Sequence, residues 1–356
     1  MKVALLTRYG TIGASSRVRA TQFAGALESF GLVCIPFPLL SGRYLSARYS
    51  GRRVPLEVAK CYAKRLSDIR QARACDLIWI EKELLPFLPA QVELSLLRGR
   101  PYVVDLDDAI FHNYDRSNSA LVRRWLGRKI DVLMKHARLV TVGNDYLRAR
   151  AVDAGAPRVE LIPSAVDLAF YPSETASSRI GLWGRALRVV WIGSPSTVKY
   201  LDLVSGPLQA LASRFAVELK VIGAEAPTWA GVAAVSIPWS VDSEADDIAA
   251  CDIGIMPLVD SPWERGKCGY KLIQYMACGL PVIASPVGAN VEIVSEGSDG
   301  MLAANDEQWQ SALLALAENA VLRREMGVRG RAKVEALYSV QAIAPRMARL
   351  LREAGS

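Results

Sequence analysis

Short apolar runs alternate along the chain with longer stretches whose apolar positions recur every three to four residues. Residues 3–7, 33–38, 77–80, 102–106, 139–142 and 159–162 are dense in Val, Ile and Leu and read as buried strands. Helical periodicity fills the gaps. One helix opens at Ser15 or Ser16 as N-cap and ends near Gly31, a second covers 118–137, and a third starts from Asn144 or Asp145. After a stretch at 173–186 rich in Ser and Gly, the pattern restarts. Strands at 188–192, 217–222, 235–238, 253–256 and 282–284 alternate with helices at about 199–213, 243–250, 270–277, 306–320, 322–337 and 340–353. Such alternation makes parallel sheets covered on both faces. Two such runs in 356 residues predict an α/β chain of two doubly wound domains facing across a cleft, with 173–186 as the linker.

Two loops carry the candidate chemistry. The first strand runs into Arg8-Tyr-Gly-Thr-Ile-Gly13 and then a helix bearing Arg17 and Arg19, the opening βα unit of a nucleotide-binding type of sheet. The Gly-x-Gly-x-x-Gly of dinucleotide sites is missing. In the second half, Gly266 and Gly269 bracket Lys267, where the backbone can approach a ligand closely. The helix that follows stops at Gly279, and Pro281 blocks its continuation. Arg265, Lys267 and Lys271 add full charges to the positive end of that helix. The loop reads either as a phosphate or diphosphate site or as a solvated basic turn.

Composition narrows the class. No apolar run reaches the roughly 18–20 residues of a membrane span, and Met-Lys-Val-Ala-Leu-Leu enters a strand directly, without the shape of a signal peptide. Six scattered cysteines form no Cys-x-x-Cys pair, which suggests a reduced, cytoplasmic protein. His112 and His136 are the two histidines and leave little room for His-based metal or triad chemistry, so no metal site is expected. Residues 1–180 hold 27 Lys and Arg against 17 Asp and Glu, a charge of +10, whereas 181–356 hold 16 against 19, a charge of −3. The basic half suggests an anionic partner. No nucleic-acid motif is visible. Residues 43–73 carry nine basic residues interleaved with apolar ones at near-helical spacing, which fits a helix lying on the inner face of the plasma membrane or one that covers the sheet with its charges in water.

Residues 269–285, Gly-Tyr-Lys-Leu-Ile-Gln-Tyr-Met-Ala-Cys-Gly-Leu-Pro-Val-Ile-Ala-Ser, resemble the donor-site stretch of the retaining glycosyltransferases of family 4, which have the GT-B fold. The resemblance runs over nearly the whole chain and is strongest over 186–304. It implies a nucleotide diphosphate-sugar donor (UDP or GDP), no separate cofactor, and a donor diphosphate held by Gly266, Lys267, Cys268, Gly269, Tyr270 and Lys271. It also implies that Gly10 and Gly13 face the cleft. Residues 163–172 look like the family's exit from the first domain, and the last helix crosses back onto it. The domains are then 1–172 with 340–356, and 187–339.

Family members usually have Gly-Arg after the strand at 188–192, and a Lys six residues after that Gly. Here Gly193 and Lys199 match, and Ser194 stands where the Arg would be. The family's two donor-loop glutamates fall on Gly266 and Gln274. Gln274 can still hydrogen-bond a ribose, and Glu264 is the nearest substitute for the first. Trp239 falls at the family's nucleobase pocket, and a core Trp is an equal reading. Asp105-Leu-Asp107-Asp108 reads as a metal-binding Asp-x-Asp, as turn chemistry, or as a ligand site at a strand's carboxyl end. In the family, a His and an Asp occupy the places of Asp107 and Asp108; an unpaired carboxylate there would orient a sugar hydroxyl, with His112 close in sequence. The expected activity is hexosyl transfer with retention to a glycan or lipid-linked hydroxyl, in cell-surface polysaccharide, lipopolysaccharide or glycolipid synthesis. The rivals are a nucleotide-sugar epimerase or hydrolase on the same fold, and a donor-binding protein without activity.

Overall fold

A computed structural model describes residues 1–10, 13–171 and 186–356; the predicted linker lies outside these apart from Ala186. The chain divides into two units: Met1–Ala165 with Arg265–Cys268 and Val340–Ser356, and Val166–Glu264 with Gly269–Ser339.

In the first unit, β1 (Lys2–Tyr9), β2 (Val33–Leu40), β3 (Leu77–Glu81), β4 (Tyr102–Leu106), β5 (Leu139–Val142) and β6 (Val159–Leu161) form a parallel sheet ordered β2-β1-β3-β4-β5-β6. β3 and β4 are buried along their whole length, because helices cover both faces. The helix Val340–Gly355 covers one face, setting Ile343, Met347 and Leu351 against Val3, Leu5 and Trp79. Ile69, Leu133, Met134 and Leu147 cover the other.

In the second unit, β7 (Leu187–Ile192), β8 (Val217–Ile222), β9 (Ala233–Ile237), β10 (Ile253–Met256), β11 (Val282–Ala284) and β12 (Gly300–Leu302) form a parallel sheet ordered β12-β11-β10-β7-β8-β9. Strand order reverses between β1 and β3 in one sheet and between β7 and β10 in the other. A doubly wound sheet binds ligands outside the carboxyl ends of its strands at such a reversal.

Several helices differ from the periodicity, each for a local reason. The helix expected at 15–31 is split into Ala14–Arg19, a 3-10 turn at Thr21–Phe23, and Ala24–Glu28. Its N-cap is Gly13, because the Ser15 and Ser16 hydroxyls donate instead to the buried Glu81 carboxylate at 2.6 and 2.5 Å. The helix expected at 118–137 breaks at Gly127 and Arg128 into Ala120–Leu126 and Lys129–His136, which turns Lys129 inward. A glycine costs a helix interior about 1 kcal/mol relative to alanine, so it marks a natural break. Asn144 is the cap of Asp145–Asp153, accepting from the Leu147 N–H at 2.9 Å. The stretch expected at 199–213 is a 3-10 turn, Val198–Val204, leading into Ser205–Ala212.

The basic stretch forms two helices, Gly42–Tyr49 and Pro55–Ala72. On the second, Lys60 and Lys64 face solvent, but Arg65 is buried and donates to the carbonyls of Phe37 and Thr7. Burial pushes its pKa down to about 10, so Arg65 belongs to the interior and not to any basic surface.

Candidate functional site

In the second unit, the loops after β7 and β10 flank the strand-order reversal. The loop after β7 starts at Gly193, where a Cβ would fall 2.3 Å from the Trp191 ring, so only glycine fits. Ser194 follows; its N–H donates to Thr197 Oγ1 at 3.2 Å, and its hydroxyl lies 2.9 Å from that of Ser196. Lys199 is exposed, with its ammonium 5.5 Å from the Tyr200 ring centre, and it enters no ion pair among the described residues. The loop after β10 contains a short helix, Pro262–Arg265, that carries Glu264. This carboxylate is buried and accepts from the hydroxyls of Tyr200 and Ser261, one on each oxygen. Both oxygens are thereby engaged, and the Glu264–Tyr200 bond joins the two loops.

The helix Tyr270–Ala277 begins at Gly269, whose φ of 64° is left-handed and whose missing Cβ leaves room for Ile293. Gly269 has no side chain to cap this end, and the Leu272 N–H turns back to the Gly269 carbonyl at 2.9 Å. Lys271 in the first turn lies 5.5 Å over the Trp191 ring, bringing this helix start to the loop after β7. One turn on, Gln274 is buried and donates to the Tyr171 hydroxyl at 3.0 Å. Tyr171 donates to Glu244 at 3.3 Å, and the Trp239 indole N–H donates to the same carboxylate at 2.6 Å. Gln274 and Trp239 are therefore two ends of one hydrogen-bonded chain.

The other predicted donor-loop residues group with the first unit. Gly266 packs so tightly that a Cβ would lie 2.5 Å from that of Ala109. Asn144 donates to the carbonyls of Arg265 and Lys267 at 3.0 and 2.9 Å. Cys268 is buried; its thiol donates to the Asp107 carbonyl at 3.1 Å, and burial holds its pKa well above the usual thiol range. These contacts consume the close approaches that the sequence reading reserved for a ligand, which leaves Lys267 as the half-buried side chain of the segment.

In the first unit, the loop after β1 closes with the Gly13 N–H donating to the Gly10 carbonyl at 3.0 Å, and Gly13 packs against the Tyr9 side chain. Asp107 and Asp108 follow β4, but neither is the unpaired carboxylate expected. Lys82, itself buried, pairs with Asp107 at 2.9 Å and Asp108 at 3.3 Å. Burial pushes the Asp107 carboxyl up, and Lys82 and Arg19 outweigh that and hold it below its ordinary value. Asp105 is buried in a two-pronged pair with Arg19 at 2.9 and 2.7 Å. The His112 ring nitrogens go to Asp115 at 2.8 Å and Tyr146 at 2.9 Å, away from the two aspartates. Among the described residues, no group of three or more His, Cys, Asp or Glu could hold a metal ion. A cavity of about 450 Å³ opens beside Arg123, Asp131 and Arg150, and no predicted site residue lines it.

Sequence reasoning missed Lys82, Tyr171, Tyr200 and Glu244. Lys82 carried the one usable signal, a place in the charged run Glu81-Lys82-Glu83 directly after the apolar Leu77–Ile80.

Solved structures settle the architecture. A sucrose-phosphate synthase from Thermosynechococcus elongatus superposes with a TM-score of 0.73 at 18% identity, covering 99% of this chain and 98% of that one. The fold is GT-B. Anabaena HepE in complex with UDP-glucose shares it at a TM-score of 0.71 and 17% identity over 99% of both chains. So does a glycosyltransferase from Rickettsia africae, at 0.65 and 11% over 99% of this chain and 98% of that one. Residues 186–319 match the family model described as Glycosyl transferases group 1. No curated protein sequence matches the chain.

Proposed function

We propose that the protein is a GT-B glycosyltransferase that moves a hexose-type sugar from a nucleotide diphosphate-sugar to an acceptor hydroxyl, with retention and without a metal. The observation that carries the reading is a coincidence of place: the matched stretch 186–319 contains the strand-order reversal of the second sheet, with Lys199 in the 3-10 turn after β7 and Lys271 in the first turn of Tyr270–Ala277. HepE, of the same fold, is described with UDP, with UDP and glucose, and with UDP-glucose.

In this reading, Lys199, Lys271 and the start of the helix Tyr270–Ala277 hold the donor diphosphate, with the Ser194 hydroxyl in place of a guanidinium. The sugar–oxygen bond to the diphosphate breaks, the acceptor oxygen bonds to the same carbon, and its proton goes to the departing diphosphate. That group gains negative charge as the bond breaks, so fixed cations accelerate the step. Glu264 positions the loop of Lys199 through Tyr200, and Trp239 and Gln274 shape the nucleoside pocket from their shared network. Asp108, the more exposed of the pair held by Lys82, orients the acceptor hydroxyl. The acceptor is a glycan or lipid-linked hydroxyl of cell-surface polysaccharide or glycolipid synthesis, and the first domain meets it on an anionic membrane through Arg52, Arg53, Lys60 and Lys64, all exposed. No helix among the described residues is long and apolar enough to cross a membrane.

A thermal-shift screen with UDP, GDP and their sugars tests the donor assignment, and NMR of the product's anomeric proton tests retention. Stabilisation by one nucleoside diphosphate, and transfer that survives chelator, are expected. No stabilisation by any of them overturns the reading. Stabilisation without transfer or hydrolysis across polysaccharide and lipid acceptors favours a donor-binding protein, for which the missing charges at Ser194 and Gly266 speak.

A further inference from the structure

The segment after β3 inverts the usual partition of polar and apolar groups. Every residue from 77 to 86 is buried, including Glu81, Lys82 and Glu83, yet Phe87 is 61% exposed. Phe87 also has a φ of 61°, a left-handed conformation costly for an aromatic residue. It is held there from below. Its N–H donates to the Tyr114 hydroxyl at 3.1 Å, and the two rings meet edge to face at 5.6 Å. Tyr114 donates to Glu83 at 2.7 Å, and the buried Lys129 joins Glu83 to Glu93 at 2.6 and 2.7 Å.

Tyr114 belongs to the helix just before Ala120–Leu126, which repeats the inversion. Leu126 is buried, while Leu121 and Trp125, one turn apart, are 67% and 70% exposed. Arg123, Arg124 and Arg128 are exposed around them, and no Asp or Glu occurs from 116 to 130. On its other side the Phe87 loop is tied to the basic helix Pro55–Ala72, whose Tyr62 hydroxyl donates to the Pro86 carbonyl at 2.8 Å.

We propose that Phe87, Leu121 and Trp125 form an apolar edge that enters an anionic lipid surface, with Arg123, Arg124 and Arg128 on the headgroups. This rests on the membrane reading above and adds a contact that charge alone does not supply. Aromatic side chains favour the membrane–water boundary, and cations beside them gain from anionic headgroups. A second copy of the chain would bring the same cationic surface against itself, and an apolar protein groove would leave Arg123 and Arg124 without an acidic partner, whereas Arg128 has Asp131 at 4.0 Å.

Co-sedimentation of the full chain with phosphatidylglycerol vesicles and with phosphatidylcholine vesicles tests this, using wild type, Phe87→Ser, Trp125→Ser and the double variant. The wild type should bind the anionic vesicles only. Each single change should weaken binding about tenfold, since a buried aromatic ring is worth at least that in partitioning. Trp125→Phe should keep most of it, and circular dichroism should show all variants folded. Wild-type binding unaffected by the double change overturns the apolar edge and leaves electrostatic adsorption standing. Absence of wild-type binding overturns both. A concentration-dependent dimer abolished by Trp125→Ser also overturns the edge, in favour of self-association.

Discussion

The two sheets reverse strand order in the same way but treat charge at their carboxyl ends in opposite ways. At the carboxyl end of the first sheet, Lys82 is matched to Asp107 and Asp108, and Arg19 to Asp105. After β7, Lys199 lies against the Tyr200 ring and enters no ion pair among the described residues. An aromatic face attracts a cation weakly, by about 0.5–1 kcal/mol at an exposed site, and does not neutralise it. The second end thus keeps the Lys199 charge unmatched by any acid among the described residues. The first is internally compensated, which suits positioning a neutral hydroxyl.

The sharpest way to break the comparison is to remove a cation from the compensated unit. Lys129 is fully buried between Glu83 and Glu93. Lys129→Met should cost about 3–5 kcal/mol, because it leaves two buried carboxylates without their cation; urea denaturation measures it. Burial already raises the Glu93 carboxyl above its ordinary pKa, against the pull of Lys129 and the Leu84 N–H. Without Lys129 it should rise further. A carboxyl raised in the folded state destabilises as pH climbs through that raised value, so the deficit should be largest near neutrality and shrink toward about pH 5. A deficit that grows on acidification would contradict the assignment.

In the second unit the corresponding change should leave the fold alone. Lys199→Ala removes an exposed side chain, so the melting temperature of the free protein should hold. Affinity for the nucleoside diphosphate should fall by about 1.5–3 kcal/mol, the worth of a charge-assisted contact. Calorimetric titration decides; unchanged affinity would remove Lys199 from the donor site.

The same contrast explains what could be read from the sequence. β5, β10 and β11 stood out as apolar runs and β8 as an alternating one, and Tyr270–Ala277 lay between a glycine that starts it and one that stops it. The sequence pattern of the second unit's loops could be read because their basic residues sit on loops. In the first unit, Arg65, Lys82 and Lys129 look like surface charges by residue type, and only the fold shows that they are interior. Periodicity reports which face is apolar, not which long side chain turns back to reach a buried carbonyl or carboxylate. Ser15 and Ser16 misled for a related reason: a cap accepts a hydrogen bond, and these hydroxyls donate theirs to a Glu81 that is distant in sequence.

A smaller test concerns the network that joins Trp239 to Gln274. Tyr171→Phe deletes the hydroxyl that accepts from Gln274 and donates to Glu244. It should cost about 1 kcal/mol of stability, the net worth of a typical hydrogen bond, plus the penalty for leaving the Gln274 amide unsatisfied. If Trp239 and Gln274 line the nucleoside pocket, the change should also weaken binding of the nucleoside diphosphate more than that of pyrophosphate. Equal weakening of both would place the network outside that pocket.

The smallest effect isolates the backbone at Phe87. At an ordinary position alanine is favoured over glycine by about 0.5–1 kcal/mol, because glycine has more freedom to lose on folding. At a φ of 61° the order should invert, since a Cβ in the left-handed region costs roughly 1–2 kcal/mol and glycine escapes it. Both Phe87→Gly and Phe87→Ala lose the edge contact with Tyr114, so their difference is free of it. Phe87→Gly should therefore be the more stable by about 0.5–1 kcal/mol, resolvable as a shift in the denaturation midpoint at constant slope. The opposite order would mean that the Phe87 backbone relaxes in solution, and the ring would no longer be held outward at the expense of its own conformation.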